Sequence, residues 1–267
     1  MRQATASPGT KDSGPGVRVL QRGLAILQAF EPDNQWRSNA ELAAITGVPK
    51  PTVSRITAYL TAARYLVYSV EKAQYRLGIA ALALGYLAAS IFELTLQAKP
   101  LMQQLADEQK GSVVLASQDG LSMVCREVCH GRGTLFALRV HPGSRLNLPR
   151  SALGKALIGA MDEQERAGLM AAVAAADPGR WPLLEKEIQV GITQMQEHQY
   201  CIASGTLETG TNGIAVVIDT PEHAHAYSMG FAVPAYQVTT EYLTNAIAPQ
   251  LLQIKHSLEQ DLLRRSI

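Results

Sequence analysis

The stretch Ser38-Asn39-Ala40-Glu41-Leu42-Ala43-Ala44-Ile45-Thr46-Gly47-Val48-Pro49-Lys50-Pro51-Thr52-Val53-Ser54-Arg55-Ile56 decides how the first part of this chain is read. Ser38 can cap a helix, and Glu41, three residues on, can return a hydrogen bond to the cap and complete a capping box. Leu42 and Ile45 supply an apolar seam, and Gly47 stops the helix. A second helix starts across Pro49 and Pro51, where a missing N–H costs nothing in the first turn, and Val53, Ile56 and Leu60 recur at helical spacing. Its other face carries Lys50, Thr52, Ser54 and Arg55. Such side chains suit a major groove, where Arg and Lys donate to phosphates or guanine edges and hydroxyls bond to either kind of group. An ordinary helical hairpin with its polar face in water fits the same pattern, so the flanking sequence arbitrates.

Past Arg64, the runs Tyr65–Val70 and Gln74–Leu77 are strand-like and enclose the polar tip Glu71-Lys72-Ala73. With a first helix over Val17–Phe30, burying Val19, Ile26 and Phe30, the order helix, helix, helix, hairpin predicts a winged helix. The wing offers Lys72 and Arg76 to a DNA backbone, and the first helix offers Arg18 and Arg22. The predicted DNA-binding set is Arg22, Ser38, Lys50, Pro51, Thr52, Ser54, Arg55, Lys72 and Arg76. Charge partition agrees: residues 17–76 hold eight Lys or Arg against four acids, whereas the whole chain has a formal net charge of only +1. A locally basic module on an acidic body uses the phosphate field without making the whole protein stick to polyanions. The excess is modest, so one copy should bind weakly, which implies a dimer on a palindromic double-stranded operator.

At 267 residues, 47 % of them hydrophobic, the chain has ample material for two domains. No apolar run reaches the roughly 20 residues that span a bilayer. Residues 1–16, rich in Gly, Pro, Ser and Thr, read as a disordered tail and not a secretory signal. Three cysteines, Cys125, Cys129 and Cys201, are too few for a disulfide framework and point to a reducing cytoplasm. Cys125, Cys129 and His130 invite a metal hypothesis. Strand alternation would put both thiols on one face, but no second ligand pair lies at zinc spacing, and no metal or cofactor is expected.

From Gly78 the pattern turns helical, with Leu82, Gly85, Tyr86, Ala89, Leu94, Leu101 and Leu105 in a stripe and a break expected at Pro100. Residues 78–98 read as a linker helix, apolar on more sides than a single packing contact needs. It is assigned either to a second copy or to burial within its own chain. Beyond it, strands are predicted at Ser112–Ser117, Leu121–Val128, Thr134–Val140, Tyr200–Thr206, Asn212–Asp219 and His225–Val233. Helices are predicted at Ala152–Gly159, Asp162–Ala175, Pro182–Gln199 and Thr239–Arg265. This is an α/β domain with one central sheet, over 99–267, following a DNA-binding domain at 17–77.

Catalytic machinery is not assembled. Gly154-Lys155 looks like the end of a phosphate loop, but Pro149 stands where the first glycine belongs and Ala156 where a hydroxyl belongs. His223 and His225 read as a solvated turn. An enzyme with a DNA-binding head, or an architectural DNA binder, are the alternatives to a regulator.

With both halves in view, the chain resembles the IclR family of bacterial transcriptional regulators. The resemblance rests on Val19–Leu27 with Leu42–Arg55 and Tyr75–Gly78, on Leu146–Leu157 with its Ala-x-Gly-Lys-Ala core, and on the run from Tyr200 through Glu208, Gly210 and Gly213-Ile214-Ala215 to Phe231–Pro234. It implies an α/β architecture in which a winged helix-turn-helix domain and a linker helix precede a GAF-like effector-binding domain. It also implies dimers or dimers of dimers, and a small-molecule pocket between the sheet and the Ala-x-Gly-Lys-Ala helix. The pocket residues implied are Leu146, Leu148, Ser151, Ala152, Leu153, Ala203, Gly213, Gly230 and Ala232. Where many relatives carry polar side chains, Ala203, Gly213, Gly230 and Ala232 are small and apolar. That predicts an enlarged cavity fit for an aromatic ring. Arg150 is the predicted partner of a carboxylate on that effector, while Arg139 and Arg145 read as solvated or paired with surface acids. The function expected is control of catabolic genes in response to an aromatic carboxylate.

Overall fold

The computed structural model describes residues 15–30, 35–90, 93–134, 138–207, 210–220 and 227–265. It divides into two compact units, residues 1–92 and 93–267. The stretch read as a linker is shared between them: residues 79–90 form the last helix of unit one, and residues 93–98 begin the first helix of unit two.

In the first unit, α1 (Pro15–Gln28), α2 (Asn39–Thr46) and α3 (Lys50–Ala62) precede a hairpin of β1 (Leu66–Ser69) and β2 (Gln74–Leu77), and α4 (Ile79–Ser90) follows. The capping box forms as drawn from sequence: the Ser38 hydroxyl accepts from the Glu41 amide at 3.3 Å, and the Glu41 carboxylate accepts from the Ser38 amide at 2.7 Å. That second bond is the main reason the Glu41 pKa lies below its ordinary value. Gly47 closes α2 at φ +68°, where a Cβ would be strained. The core unites Ile26, Leu42, Val53, Ile56, Leu60 and Leu66. Thr57, fully buried, lies within hydrogen-bond reach of Asn39 Oδ1 at 3.1 Å and links α3 to α2. Periodicity buries Val19, but it is 53 % exposed, because the early turns of α1 run past the small core and only Ile26 near its end is fully buried.

The second unit begins with α5 (Glu93–Gln109), then β3 (Ser112–Asp119), β4 (Ser122–His130), β5 (Arg145–Asn147), α6 (Ala152–Ala160), α7 (Glu163–Ala176) and α8 (Trp181–His198). It continues with β6 (Cys201–Ser204), β7 (Thr211–Ile218) and β8 (Tyr227–Pro234), then α9 (Thr240–Tyr242), a π-helical turn at Leu243–Ile247 and α10 (Ala248–Arg265). The strands form one antiparallel sheet in the order β5-β4-β3-β8-β7-β6. Helices α6 and α8 pack on one face over Val114, Ala116, Met123, Ala215 and Val217. Helices α5 and α10 pack against the sheet through Leu94, Ala98, Met102, Leu251 and Leu258. Both faces of the central strands are therefore dry, and their residues are buried almost without interruption.

Three local expectations fail for physical reasons. Pro100 does not break its helix; α5 runs through it, because Ala98 and Met102 are wholly buried on either side and the Leu96 carbonyl that loses its donor sits on an exposed residue. Thr134–Val140 reads as a strand, yet Thr134 and 138–140 lie outside regular structure, 135–137 lie outside the described residues, and β5 pairs with β4 instead. The register of β3 and β4 slips at Arg126: Leu115 faces Glu127, whereas Ala116 faces Cys125. This bulge turns the alternation over. Cys125 joins the core under α6, while the Cys129 thiol lies 3.8 Å from the Lys99 carbonyl of α5, so the two thiols occupy opposite faces of the sheet. Burial pushes Cys125 and Cys201 up to about 12 and Cys129 up to about 11. Glu208, His223 and His225 lie outside the described residues, as does the tail but for its last two residues, Pro15 and Gly16, which begin α1.

Candidate DNA-binding surface and effector cavity

Helix α3 presents Lys50, Pro51, Ser54 and Arg55 to solvent, with Thr52 half-buried at their edge. Val53, Ile56, Thr57 and Leu60 anchor the opposite side, so the exposed row is held rigidly by packing rather than by its own contacts. Tyr59, 74 % exposed and one turn beyond Arg55, continues that row. Its place four residues after Arg55 was the available signal, but an aromatic in a helical stripe is more often core. Ser38 faces inward to its capping duties, and Arg22 is half-buried on α1. In the wing, the Lys72 ammonium and the Arg76 guanidinium lie 5.8 Å and 5.2 Å from the ring centre of Trp36. Arg37, next to Trp36, exchanges two backbone hydrogen bonds with Tyr75, adding a third short segment to the hairpin. The wing cations are thus steered by an aromatic platform.

In the second unit a cavity lies between the start of α6 and the sheet. Leu146, Ser151, Ala152, Leu153, Ala203, Gly213, Gly230 and Ala232 line it, joined by Val114, Leu138, Leu207, Thr211 and the Ile214 and Phe231 positions. Leu148 is wholly buried behind it. Arg150 stands outside the lining: its Nε donates to the Thr206 carbonyl at 2.7 Å. Arg145 pairs with Asp119. Among the described residues the cavity wall carries no charged side chain.

The cavity volume is about 40 Å³, well short of the ~150 Å³ of an apolar cavity that admits benzene. Small residues do not enlarge it. A Cβ placed on Gly230 would stand 3.0 Å from Leu153 Cδ2, and one on Gly213 would stand 3.6 Å from Ala152 Cβ. The glycines let α6 settle closer to the sheet, and Leu153 takes the space they leave. Apart from Thr211 of β7, the polar features are at the helix start. Ser151 caps α6 by accepting from the Gly154 amide at 3.0 Å, and among the described residues the amides of Ala152 and Leu153 have no acceptor. Two free amides at a helix N-terminus favour an anion.

The Ala-x-Gly-Lys-Ala lysine points away from solvent. Lys155 Nζ, with its side chain 4 % exposed, donates to Glu187 Oε2 of α8 at 2.8 Å and to Thr206 Oγ1 at 3.3 Å. A lysine set among Ala, Leu and Ile in a helix is itself a sign that a counter-ion waits inside, but which carboxylate supplies it depends on tertiary packing.

Comparison with known proteins agrees with this architecture. Residues 19–69 match the IclR helix-turn-helix domain, and residues 86–259 match the bacterial transcriptional regulator IclR C-terminal domain. The chain therefore belongs to the IclR family. It is 24 % identical to the HTH-type transcriptional regulator TsaQ1/TsaQ2 of Comamonas testosteroni, over 94 % of this chain and 91 % of that protein. A solved IclR family transcriptional regulator from Brucella abortus is 33 % identical and superposes with a TM-score of 0.79, covering 91 % of this chain and 92 % of that one. An IclR homologue from Microbacterium hydrocarbonoxydans, solved in complex with 4-hydroxybenzoate, shares the fold at 17 % identity and a TM-score of 0.72, over 92 % and 99 %. The chain is a DNA-binding transcriptional regulator and not an enzyme, with a winged helix-turn-helix domain and an α/β effector-binding domain. No described helix is long and apolar enough to cross a membrane.

Proposed function

We propose that this regulator acts in the cytoplasm as a homodimer or dimer of dimers on a palindromic operator, and that an aromatic carboxylate controls its hold on catabolic genes. The observation that carries the effector class is the pair of amides at Ala152 and Leu153 that have no acceptor among the described residues, on two residues that line a mostly apolar cavity. The carboxylate sits on those amides, in the role the sequence assigned to Arg150, and the ring lies against Leu138, Leu146 and Leu207. The complex of the Microbacterium homologue with 4-hydroxybenzoate supports the same class. A ring is larger than the cavity, so binding requires Leu153 and its neighbours to withdraw; that displacement is the means by which occupancy changes the protein.

Lys50, Ser54 and Arg55 enter the major groove, and Lys72 and Arg76 meet the backbone. An oligomer is supported by apolar rows left in solvent on α1 (Val17, Leu20, Leu24) and on α4 (Ile79, Leu82, Tyr86), each between 49 % and 69 % exposed. Calorimetry across benzoate, hydroxybenzoates, phthalates, pyruvate and glyoxylate tests the effector. Binding confined to the two keto acids would overturn the aromatic class. Footprinting with and without the ligand that binds shows whether it controls the operator.

A further inference from the structure

The two walls of the cavity are tied together just beyond its lining. Arg150 directly precedes Ser151 of the α6 wall, and Thr206 directly precedes Leu207 of the opposite wall. Arg150 Nε donates to the Thr206 carbonyl at 2.7 Å, and Thr206 Oγ1 donates to the Arg150 carbonyl at 2.6 Å. Lys155 Nζ donates to the same hydroxyl while paired with Glu187. Thr206 is thus gripped by a reciprocal pair of side-chain-to-carbonyl bonds with Arg150 and by a desolvated ammonium.

We infer that Thr206, held by Arg150 and Lys155, fixes the spacing of the two walls and so sets which size of effector the cavity accepts. This rests on the effector site proposed above. A ring needs the walls to part, and the cost of loosening the clasp is subtracted from its affinity. A two- or three-carbon acid needs the walls to part less and incurs less of that cost. Thr206 is a positioning residue on this argument: it does not itself line the cavity.

Thr206→Val keeps the shape of the side chain, removes the shared hydroxyl and leaves both the Lys155–Glu187 pair and the Arg150-to-carbonyl bond in place. Calorimetry of the full-length protein with benzoate and with pyruvate should show the ratio of the two affinities moving about tenfold toward benzoate, the worth of one hydrogen bond. Thr206→Ser, which retains the hydroxyl, should restore the wild-type ratio. A ligand-free measurement runs alongside: the Gly205 amide, which donates to the Thr211 carbonyl at 2.8 Å, should exchange with solvent about tenfold faster in Thr206→Val. Equal changes in both affinities, or unchanged Gly205 exchange, overturn the inference. Faster exchange in a protein whose wild-type form binds neither acid upholds the coupling of the walls and overturns the effector class instead.

Discussion

The two units handle charge in opposite ways. On α3, Lys50 and Arg55 stand in solvent, and among the described residues no ion pair engages either; the packing that positions them lies on the other side of the helix. In the effector domain, Lys155 is driven inside, and its single carboxylate partner comes from another helix. An exposed charge can be tuned for a ligand without disturbing the fold. A buried one belongs to fold and site together, so evolution can alter it only with its surroundings.

The sharpest way to break that contrast is Glu187→Ala. It leaves the Lys155 ammonium buried without a counter-ion, which costs about 3 kcal/mol, the lower end for a buried pair because Glu187 is 25 % exposed. Each unit holds one tryptophan, Trp36 and Trp181, so denaturant unfolding of single-tryptophan variants reads them separately. The loss should appear in the Trp181 transition, and an unchanged midpoint there would mean that water already compensates the lysine.

Arg55→Ala should do the reverse. Both unfolding midpoints should stay in place while operator affinity falls by about 1–3 kcal/mol per recognition helix, with the salt dependence reduced if Arg55 meets phosphate and kept if it reads a base. Retained affinity in a gel-shift titration would return Arg55 to a merely solvated role.

The same contrast explains what was legible beforehand. The winged helix is built from local signals: a capping box between residues three apart, a glycine stop, a helical stripe, and a hairpin with a polar tip. Each is encoded within a few residues, and each appears in the structure. Eight positions carried over from the family resemblance do line the cavity, because the alignment of strand and helix fixes them. What local pattern could not give was the third dimension. Gly213 and Gly230 look like room for a ligand but admit Leu153, Arg150 looks like an anion site but is spent on Thr206, and the bulge at Arg126 reverses a face that simple alternation assigns to both cysteines. In each case the outcome depends on an element more than 20 residues away or on a register slip without a distinctive residue.

Ser228 offers the finest test. It lies two residues before Gly230 on β8, pairs across the sheet with Ala116 and Val217, is wholly buried, and its hydroxyl has no hydrogen-bond partner among the described residues. An unpaired hydroxyl in a dry interior is a net cost, unlike the lysine nearby, whose burial is compensated. Ser228→Ala should therefore stabilise the Trp181 transition by about 1 kcal/mol, opposite in sign to Glu187→Ala. A destabilisation of similar size would show that the hydroxyl is satisfied in solution, by an internal water or by a turned rotamer. Either sign separates a hydroxyl that is tolerated at a cost from one that is satisfied, and the Thr134 hydroxyl, the other buried one without a partner among the described residues of this unit, can be put to the same test.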